Sequence, residues 1–518
     1  MEKLALIEVA TTSLRLTLAE VSQNNYFVVY KELAENINLD KHLEDNGTIS
    51  QTRIAGCIKI LEYFKQICNA EGIMRTVCVA SNSITKAKNC HSFLDEAGVV
   101  IGTKFRILTE EDENREIYNA VINTLDIPKG FIINISSHFT RVVAYSRRVL
   151  VDSVALPYGY NDLIEKFFDE KASNDDYAKK CVDFMKTQLA DNVSFLRSAD
   201  PESVVIGTSE LFSAFGKLAR KITKYPVEIE HNYQTNKAVF DQVFDFIKDN
   251  KAIDLKTDMT IKGVSSKTAR QIFTGLCIAK AFIETVGFTQ ITTSTAYRST
   301  GLLYEEVLPE LVEKPLMDIL KHSLQATING YGLNADEAEL RKSYAITLFK
   351  QLKIIHKLPR PFAKSLQIAA SLYGFGKKIN KQFFIRNNGA AILNSGVIGA
   401  SHKELVIAAL AASMENPTNF NLNEFIKYKN IMEAGDDEAI KKLAMLLHLA
   451  ETLVMRPQGV VKDIACDILG NSVIVKLITN LDPKDPKIEV NKAEIEVFYM
   501  EKLAADFPRI FKKEIEII

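Results

Sequence analysis

The sequence lacks the features that would tie it to a membrane or draw it to a polyanion by overall charge. No uncharged run approaches the roughly 18–20 residues needed to cross a bilayer. Glu2 and Glu8 flank the first apolar run, which is unlike a secretory signal. The 64 lysines and arginines nearly balance the 65 aspartates and glutamates, for a net charge of −1. We therefore expect a cytoplasmic protein that contacts neither nucleic acid nor a membrane.

Cysteine and histidine patterns of metal or disulfide sites are also absent. The seven cysteines are odd in number and never spaced as CxxC, which favours reduced, buried thiols. None of the eight histidines stands at ligand spacing from another. The sequence therefore predicts no bound metal among the histidines and cysteines.

Strand and helix periods alternate over roughly the first 300 residues and then become helical. The apolar runs LALIEVA (4–10) and SLRLTLAEV (13–21) predict an N-terminal hairpin. The stretch TEEDENREIYNAV predicts a helix beginning after Thr109, because a capping residue precedes an acidic first turn. From about residue 305 the apolar spacing is helical until strands return near the C-terminus. These patterns predict an α/β region, then an α bundle with a small α+β part, and a proline-containing loop at 480–487.

Two predicted hairpins share one residue pattern. IEVATTSLR (7–15) and INISSHFTR (133–141) each place a polar residue between β-branched ones, then a polar turn, then an arginine. The match predicts a duplicated α/β domain with one phosphate-facing turn in each half. Phosphate-binding turns normally contain glycine, which lets backbone N–H groups approach the anion. The second turn, at 136–139, has none.

With both hairpins in place, the order of motifs resembles the exopolyphosphatase/guanosine pentaphosphate phosphatase (Ppx/GppA) family over nearly the whole chain. The resemblance implies an α/β fold of two duplicated actin-like (ribonuclease H-like, ASKHA) domains at 1–125 and 126–304 that close over a phosphate cleft. The segments that carry it are IEVATTSLRL (7–16), VASNSITKAKN (79–89), EEDENREIY (110–118), NISSHFTR (134–141), VALPYG (154–159), IKGVSSKTARQIFTGLCIAKAFIE (261–284) and ITTSTAYRSTGLL (291–303).

The helical half resembles the HD-type domain that longer family members carry. The resemblance implies a mostly helical HD-like domain at 305–518. The matching segments are AASLYGFGKKI (369–379), ILNSGVIGASHKE (392–404) and LAMLLHLAETL (443–453). We expect no metal in this domain, because its ligand positions read Glu337, Tyr373, Gly374 and Asn387.

The chemistry that the resemblance implies is magnesium-assisted attack of water on a terminal phosphate of polyphosphate or guanosine pentaphosphate. Such chemistry needs carboxylates for the metal and the water, and donors for the developing oxygen charge. Here Asn134 replaces the turn aspartate, residues 136–138 replace its glycines, and Arg141 replaces the closing glutamate. The resemblance therefore implies a degenerate phosphate site with absent or very low activity.

Part of the family site remains. If the chain is active, the candidate catalytic residues are Glu113, Asp112 and Glu8, with Mg²⁺ as the cofactor. An alternative role for Asp112 and Glu113 is helix capping, which acids in a first turn favour. The candidate phosphate-binding residues are Ser13, Arg15, Ser136, Ser137, Thr140 and Arg141.

Three functions stay open on the sequence alone. The first is a weak or inactive family member that binds polyphosphate or a phosphorylated nucleotide and acts as a regulatory protein. The second is an active phosphatase with a rearranged site built on Glu8, Asp112 and Glu113. The third is a structural partner, in which the helical half forms a homodimer or pairs with an active paralogue; we expect a homodimer.

Overall fold

The computed structural model describes residues 2–39, 46–249, 266–312, 314–456, 460–479 and 493–518. The chain divides into two compact units, one of residues 1–224 with 228–319 and one of residues 225–227 with 320–518. The loop expected at 480–487 and the start of the 261–284 motif lie outside the described residues. The domain ranges 1–125, 126–304 and 305–518 stay a prediction.

The first unit contains two sheets, of five and six strands. Five strands follow the same order in both sheets when the second is read from its other end, and the sixth strand is an added edge strand. The first sheet has the order β3-β2-β1-β4-β5, and the second has the order β10-β11-β9-β6-β7-β8. In each sheet the first strand in sequence pairs with the next strand antiparallel on one side, forming a hairpin. It pairs with a parallel strand on the other side: β1 lies between β2 and β4, and β6 lies between β7 and β9. The strands are β1 (Glu2–Val9), β2 (Ser13–Val21), β3 (Phe27–Asn36), β4 (Arg75–Ala80), β5 (Arg106–Ile107), β6 (Lys129–Ile135), β7 (Thr140–Ser146), β8 (Val149–Leu156), β9 (Val204–Thr208), β10 (Tyr233–Asn236) and β11 (Gln290–Ser294).

Helices connect and cover these strands. They are α1 (Gln51–Glu71), α2 (Cys90–Ile101), α3 (Glu110–Ile122), α4 (Tyr160–Phe167), α5 (Asn174–Asn192), α6 (Glu210–Ile222), α7 (Lys237–Asp249), α8 (Ser266–Val286) and α9 (Arg298–Val307). Short 3₁₀ turns occupy Asn82–Lys86, Ser194–Ser198 and Pro309–Val312. The expected duplicated α/β architecture is confirmed.

The two hairpins of the shared pattern have the same register. Glu8 lies opposite Arg15 on β1 and β2, and Asn134 lies opposite Arg141 on β6 and β7. Each turn is closed by a 2.9 Å backbone hydrogen bond, from Ala10 N to Ser13 O in the first and from Ser136 N to Phe139 O in the second. The duplication predicted from the two segments is confirmed at the level of individual residues.

Two helices cross between the sheets and bring the acidic segment to the end of β1. On α3, Ile117 and Val121 pack against Ile132 and Val143 of the second sheet. Helix α9 instead packs on the first sheet, in one hydrophobic cluster with the leucines of β1. The helices approach each other closely at Gly301, where a Cβ would lie 1.9 Å from the Glu116 carbonyl oxygen. Only glycine fits there, so this contact fixes α9 beside the first turns of α3.

The second unit is mostly helical and ends in a small sheet of order β12-β13-β14. This confirms the helical region with a small terminal α+β part; its HD-like character stays a prediction. Among the described residues, no helix is both long and apolar enough to cross a bilayer. The elements are α10 (Ile319–Gly330), α11 (Ala335–Gln351), α12 (Lys353–His356), α13 (Phe362–Leu372), a 3₁₀ turn (Phe375–Lys378), α14 (Phe384–Leu393), α15 (His402–Ala412), α16 (Leu422–Lys427), α17 (Asp436–Thr452), β12 (Val461–Ile468), β13 (Ser472–Thr479), α18 (Glu494–Ala504), α19 (Phe507–Phe511) and β14 (Glu514–Ile517).

Candidate functional site

The ends of β1, β4 and α3 meet around the carboxylate of Glu113. Glu113 lies in the first turn of α3 and is buried, as is Glu8 near the end of β1. Ser81, directly after β4, donates its hydroxyl to Glu113 Oε1 at 2.7 Å, and the Asn82 N–H donates to the same oxygen at 3.2 Å. A buried carboxylate needs such donors, because its charged form loses its hydration.

Two arginines complete the neutralisation of these acids. Arg298, the first residue of α9, donates Nη1 to Glu113 Oε1 at 2.7 Å. The same guanidinium donates Nη2 and Nε to Glu8 Oε1 at 3.0 and 3.2 Å. Arg141 of β7 donates Nη2 to the other oxygen of Glu113. We call Glu8, Glu113, Glu116, Arg141 and Arg298 the glutamate–arginine cluster.

The arginines govern the ionisation of Glu113. Burial alone would raise its pKa, but Arg141 and Arg298, together with the Ser81 and Asn82 donors, hold the pKa below its usual value. Burial would likewise lower the pKa of Arg298, whereas Glu8 and Glu113 raise it above the usual value. At Arg141 burial outweighs Glu113, so its pKa is lowered, yet an arginine side chain stays protonated in proteins. Glu113 is therefore a carboxylate locked in its charged form.

Glu116, one helical turn after Glu113, behaves in the opposite way. Its side chain is fully buried, and neither carboxyl oxygen accepts a hydrogen bond. The nearest cations are Arg106 Nη2 at 3.9 Å and Arg298 Nε at 4.0 Å. Burial is the main cause that raises the pKa of Glu116 to about 8; Glu305 and Glu8 add to this, and Arg298 opposes it. The cluster thus contains one carboxyl that is mostly protonated at neutral pH.

Asp112 points away from its neighbour and caps α3. Its carboxylate accepts hydrogen bonds from the Thr109 backbone N–H at 3.0 Å and the Thr109 hydroxyl at 2.8 Å. Arg115 donates to the second oxygen at 2.6 Å. The Asp112 N–H donates in turn to the Thr109 hydroxyl oxygen, which completes a capping box. The adjacent acids of the predicted site therefore have different partners, and Asp112 makes the contacts of a helix cap.

Backbone carbonyl oxygens of the turn at 136–139 accept hydrogen bonds from the start of α4. The N–H groups of Tyr160 and Asn161, at the start of α4, donate to the carbonyl oxygens of Ser136 and Ser137 at 3.1 and 2.9 Å. Such N-terminal helix donors are the groups that bind phosphate in other proteins. Gly159 makes this contact possible, because a Cβ there would lie 2.3 Å from Ser136 O. Two N–H donors at the start of α4 are therefore already occupied by carbonyl oxygens of the turn.

The other predicted phosphate-binding residues lie apart from the cluster's contacts. Arg15 donates to the exposed carboxylate of Glu210 at 2.9 Å, and Thr140 donates its hydroxyl to Tyr158 O at 2.8 Å. Ser13 begins β2 and is half-buried. The structure thus brings Glu8, Glu113 and Arg141 together. Arg15 and Thr140 instead have partners outside the cluster. The roles assigned to them stay predictions.

Sequence reasoning misses Glu116, and it places Arg298 only beside Ser299, where the family resemblance expects an arginine, without its contact to the acids. Glu116 lies three residues after Glu113, so helical spacing places both on one face of α3. Arg298 is remote in sequence, and its approach to Glu8 depends on the packing of α9 against the first sheet. The first signal is present in the sequence, whereas the second arises only in the fold.

The cluster does not fit the magnesium ion that the resemblance described above implies. Both oxygens of Glu113 already accept hydrogen bonds from guanidinium groups, and the Arg298 guanidinium contacts Glu8 as well. In the part of the chain that the structure describes, no three Asp, Glu, His or Cys side chains are arranged to hold a metal. Magnesium needs at least one or two available carboxylates beside its waters and phosphates. We therefore derive no metal-assisted step for this chain.

A second arginine-bridged pair of acids lies in the helical unit, at the positions compared above with an HD-type metal site. Arg341 of α11 donates to both Glu337 and Glu451, and its Nη1 donates to Ala370 O at 3.2 Å. Its guanidinium carbon lies 5.6 Å from the centre of the Tyr373 ring. We call Glu337, Arg341 and Glu451 the Arg341 cluster. Arg341 and Glu451 are further residues that sequence reasoning does not identify.

Comparison with known proteins agrees with this architecture. The Ppx/GppA phosphatase family profile matches residues 18–310. A bifunctional 3-dehydroquinate synthase/phosphatase of Fusobacterium nucleatum is 23% identical over 320 residues, which cover 58% of this chain and 46% of that protein. The chain thus spans about half the length of this curated relative.

Solved structures show the same fold. A Ppx/GppA family member from Aquifex aeolicus superposes with a TM-score of 0.53 at 21% identity, covering 60% of this chain and 98% of that one. An exopolyphosphatase from Cytophaga hutchinsonii gives 0.53 at 14% identity, covering 59% and 98%. The family profile matches more than half of the chain, and the duplicated sheets are those expected of an actin-like fold. The chain belongs to the Ppx/GppA phosphatase family.

Proposed function

We propose that this family member binds a phosphorylated ligand, polyphosphate or a phosphorylated nucleotide, without hydrolysing it at an appreciable rate, and so acts as a binding or regulatory protein. One observation carries the proposal: both carboxylate oxygens of Glu113 are held by guanidinium groups. A general base needs a free lone pair directed at the attacking water. Counting Ser81 and Asn82, Glu113 already accepts four hydrogen bonds, which is about the full capacity of a carboxylate.

The ionisation of Glu113 points the same way. A general base works best when its pKa lies near the working pH, and the arginines move the pKa of Glu113 further below that range. Removing one charge-stabilising donor from a site typically costs about 10²–10³-fold in rate. Here the base is occupied, two N–H donors at the start of α4 bond to the turn, and the carboxylates are paired with arginines, so we expect the losses to accumulate.

Arg15 supports the binding half of the proposal. Both partners of its ion pair with Glu210 are exposed to solvent: the Arg15 side chain is 38% accessible and the Glu210 side chain 83%. An exposed pair of this kind contributes only about 0–1 kcal/mol. Arg15 therefore exchanges Glu210 for a phosphate oxygen at little cost, and a charge-assisted bond to phosphate is stronger than a neutral one.

A phosphate-release assay beside a binding titration tests the proposal. The substrates are long-chain polyphosphate and guanosine pentaphosphate with Mg²⁺, and an active family phosphatase is the positive control. We expect release at least about 10³-fold below the control, with binding detectable by calorimetry and weakened in Arg15→Ala. Robust turnover that disappears in Glu113→Gln would establish the alternative, an active phosphatase with a rearranged site. Absence of binding would overturn the ligand-binding part of the proposal.

A further inference from the structure

Arg298 bridges acids that come from different parts of the fold. One guanidinium contacts Glu8 at the end of β1 and Glu113 at the start of α3, and it lies 4.0 Å from Glu116. Arg298 itself is the first residue of α9, which packs so closely on α3 at Gly301 that a Cβ there would lie 1.9 Å from the Glu116 carbonyl oxygen. The charged end of the side chain is thus placed by the backbone in the middle of three carboxyl groups.

We propose that the Arg298 guanidinium is a built-in cation that occupies the place of a divalent metal ion between Glu8 and Glu113, and that removing it converts the cluster into a divalent-cation site. This inference rests on the proposed function only in its claim that the unmodified cluster binds no metal. It adds the identity of the group that excludes the metal.

The charges of the cluster support this exchange. With Arg298 present, its positive charge and that of Arg141 face three carboxyl groups, one of which keeps its proton near neutral pH. Without Arg298, up to three carboxylates of the cluster, together with Glu305, would face only Arg141 and Arg106, which leaves a local charge of about −2. Carboxylate oxygens are the ligands that Mg²⁺ and Mn²⁺ prefer. A divalent ion would restore neutrality, whereas the unmodified cluster would have to accept excess positive charge in a buried place.

The competing explanation is that Arg298 serves only to anchor α9. Both explanations predict that its removal destabilises the first unit, so a stability measurement alone does not separate them. Only the exchange hypothesis predicts that a cation reverses the loss, since a ligand that binds the folded state stabilises it. The test must therefore measure metal binding directly.

The test uses Arg298→Met, which keeps the aliphatic part of the side chain and removes its charge. Binding of Mn²⁺ is followed by the loss of its free EPR signal and by calorimetry. We expect one Mn²⁺ to bind at least about tenfold more tightly to Arg298→Met than to the unmodified protein, with Mn²⁺ raising the melting temperature of the variant only. Arg75→Met is the matched control, since Arg75 also pairs with α9, through Glu306 at 2.8 Å, but lies outside the cluster.

Each result decides the proposal. Gained binding that disappears in Arg298→Met/Glu113→Gln supports it, as does a variant that folds only with Mn²⁺. A folded Arg298→Met protein without gained binding overturns it, and so does a variant that stays unfolded with and without Mn²⁺. A Mn²⁺ site in the unmodified protein that Glu113→Gln abolishes also overturns it. These outcomes are independent of phosphate release, so failure here is distinguishable from failure of the proposed function.

Discussion

The glutamate–arginine cluster and the Arg341 cluster are both built from glutamates and arginines, but they differ in which charges they bury. In the first unit the side chain of Glu113 is 1% exposed and that of Arg298 is 21% exposed. In the helical unit the side chain of Arg341 is 2% exposed, whereas those of Glu337 and Glu451 are 31% and 25% exposed. The first cluster therefore buries acids, with Arg141 as a buried base beside them, whereas the second buries a base alone.

This difference has a chemical consequence. A buried carboxyl that loses its partner takes up a proton and becomes neutral, as Glu116 already does in part. A buried guanidinium has no such escape, because arginine does not deprotonate in proteins. The acids of the first cluster can therefore adjust to the loss of Arg298 by taking up a proton, whereas Arg341 depends strictly on its acids.

Glu113→Ala is expected to have the largest effect on stability. It removes the principal partner of the buried Arg141, and breaking a buried pair typically costs about 3–5 kcal/mol. The urea-unfolding transition of the first unit measures this loss. Glu111→Ala is the control, since Glu111 is exposed in the same helical turn, and its cost should stay within about 0.5 kcal/mol. Equal losses of unfolding free energy in the two variants would show that the charge pairs of Glu113 contribute no net stability.

The next effect tests the asymmetry between the clusters. We expect Glu337→Gln/Glu451→Gln to cost the helical unit about 3 kcal/mol, because it leaves Arg341 buried without a counter-charge. Arg341→Met should cost only about 1–2 kcal/mol, since the remaining acids reach water. Lys342→Met serves as control for the neighbouring surface charge. If Arg341→Met proves more costly than the double acid variant, the comparison drawn above is wrong.

A smaller effect concerns pH. The folded protein holds the Glu116 proton up to a pKa of about 8, whereas the unfolded chain releases it near the ordinary value of 4.5. The contribution of Glu116 to the free energy of unfolding is therefore complete below about pH 4.5 and is lost as the pH rises through 8. Glu116→Gln should remove this dependence and be more stable than the unmodified protein at pH 8, by roughly 2 kcal/mol. Denaturant titrations at pH 5 and pH 8 measure the difference. If the free energy of unfolding depends on pH equally in Glu116→Gln and in the unmodified protein, the pKa of Glu116 lies near its ordinary value.

The smallest expected effect is that of Arg15→Ala. Its pair with Glu210 is exposed, so the free energy of unfolding should change by no more than about 0.5 kcal/mol. Affinity for polyphosphate should nevertheless fall, which separates a ligand contact from a structural one. The control is Lys3→Ala, because Lys3 is a half-exposed, positively charged residue of the same sheet. Equal affinities in the two variants would remove Arg15 from the ligand site.

Local patterns in the sequence account for much of the fold. Period-two apolar runs and the shared hairpin segments predict β1, β2, β6 and β7, and the capping box at Thr109 predicts the start of α3. These features depend on neighbours in sequence, so propensity and periodicity encode them. The charge reversal at Arg141 is likewise visible as a substitution within a motif.

The partners of the buried charges are not visible in this way. Arg298 reaches Glu8 only because α9 returns to the first sheet, and Arg341 reaches Glu451 only because α11 packs beside α17. Neither approach has a local signature. The sequence alone therefore predicts which acids remain, but not that arginines already hold them.

The turn at 136–139 bears on how such a protein could arise. None of its four residues has a positive φ, so the hairpin keeps its shape without glycine. Glycine is therefore not needed at these positions for the folding of this turn. A substitution that adds or removes a glycine here need not pass through a misfolded intermediate. The hairpin is thus a place where changes accumulate while the duplicated scaffold stays intact.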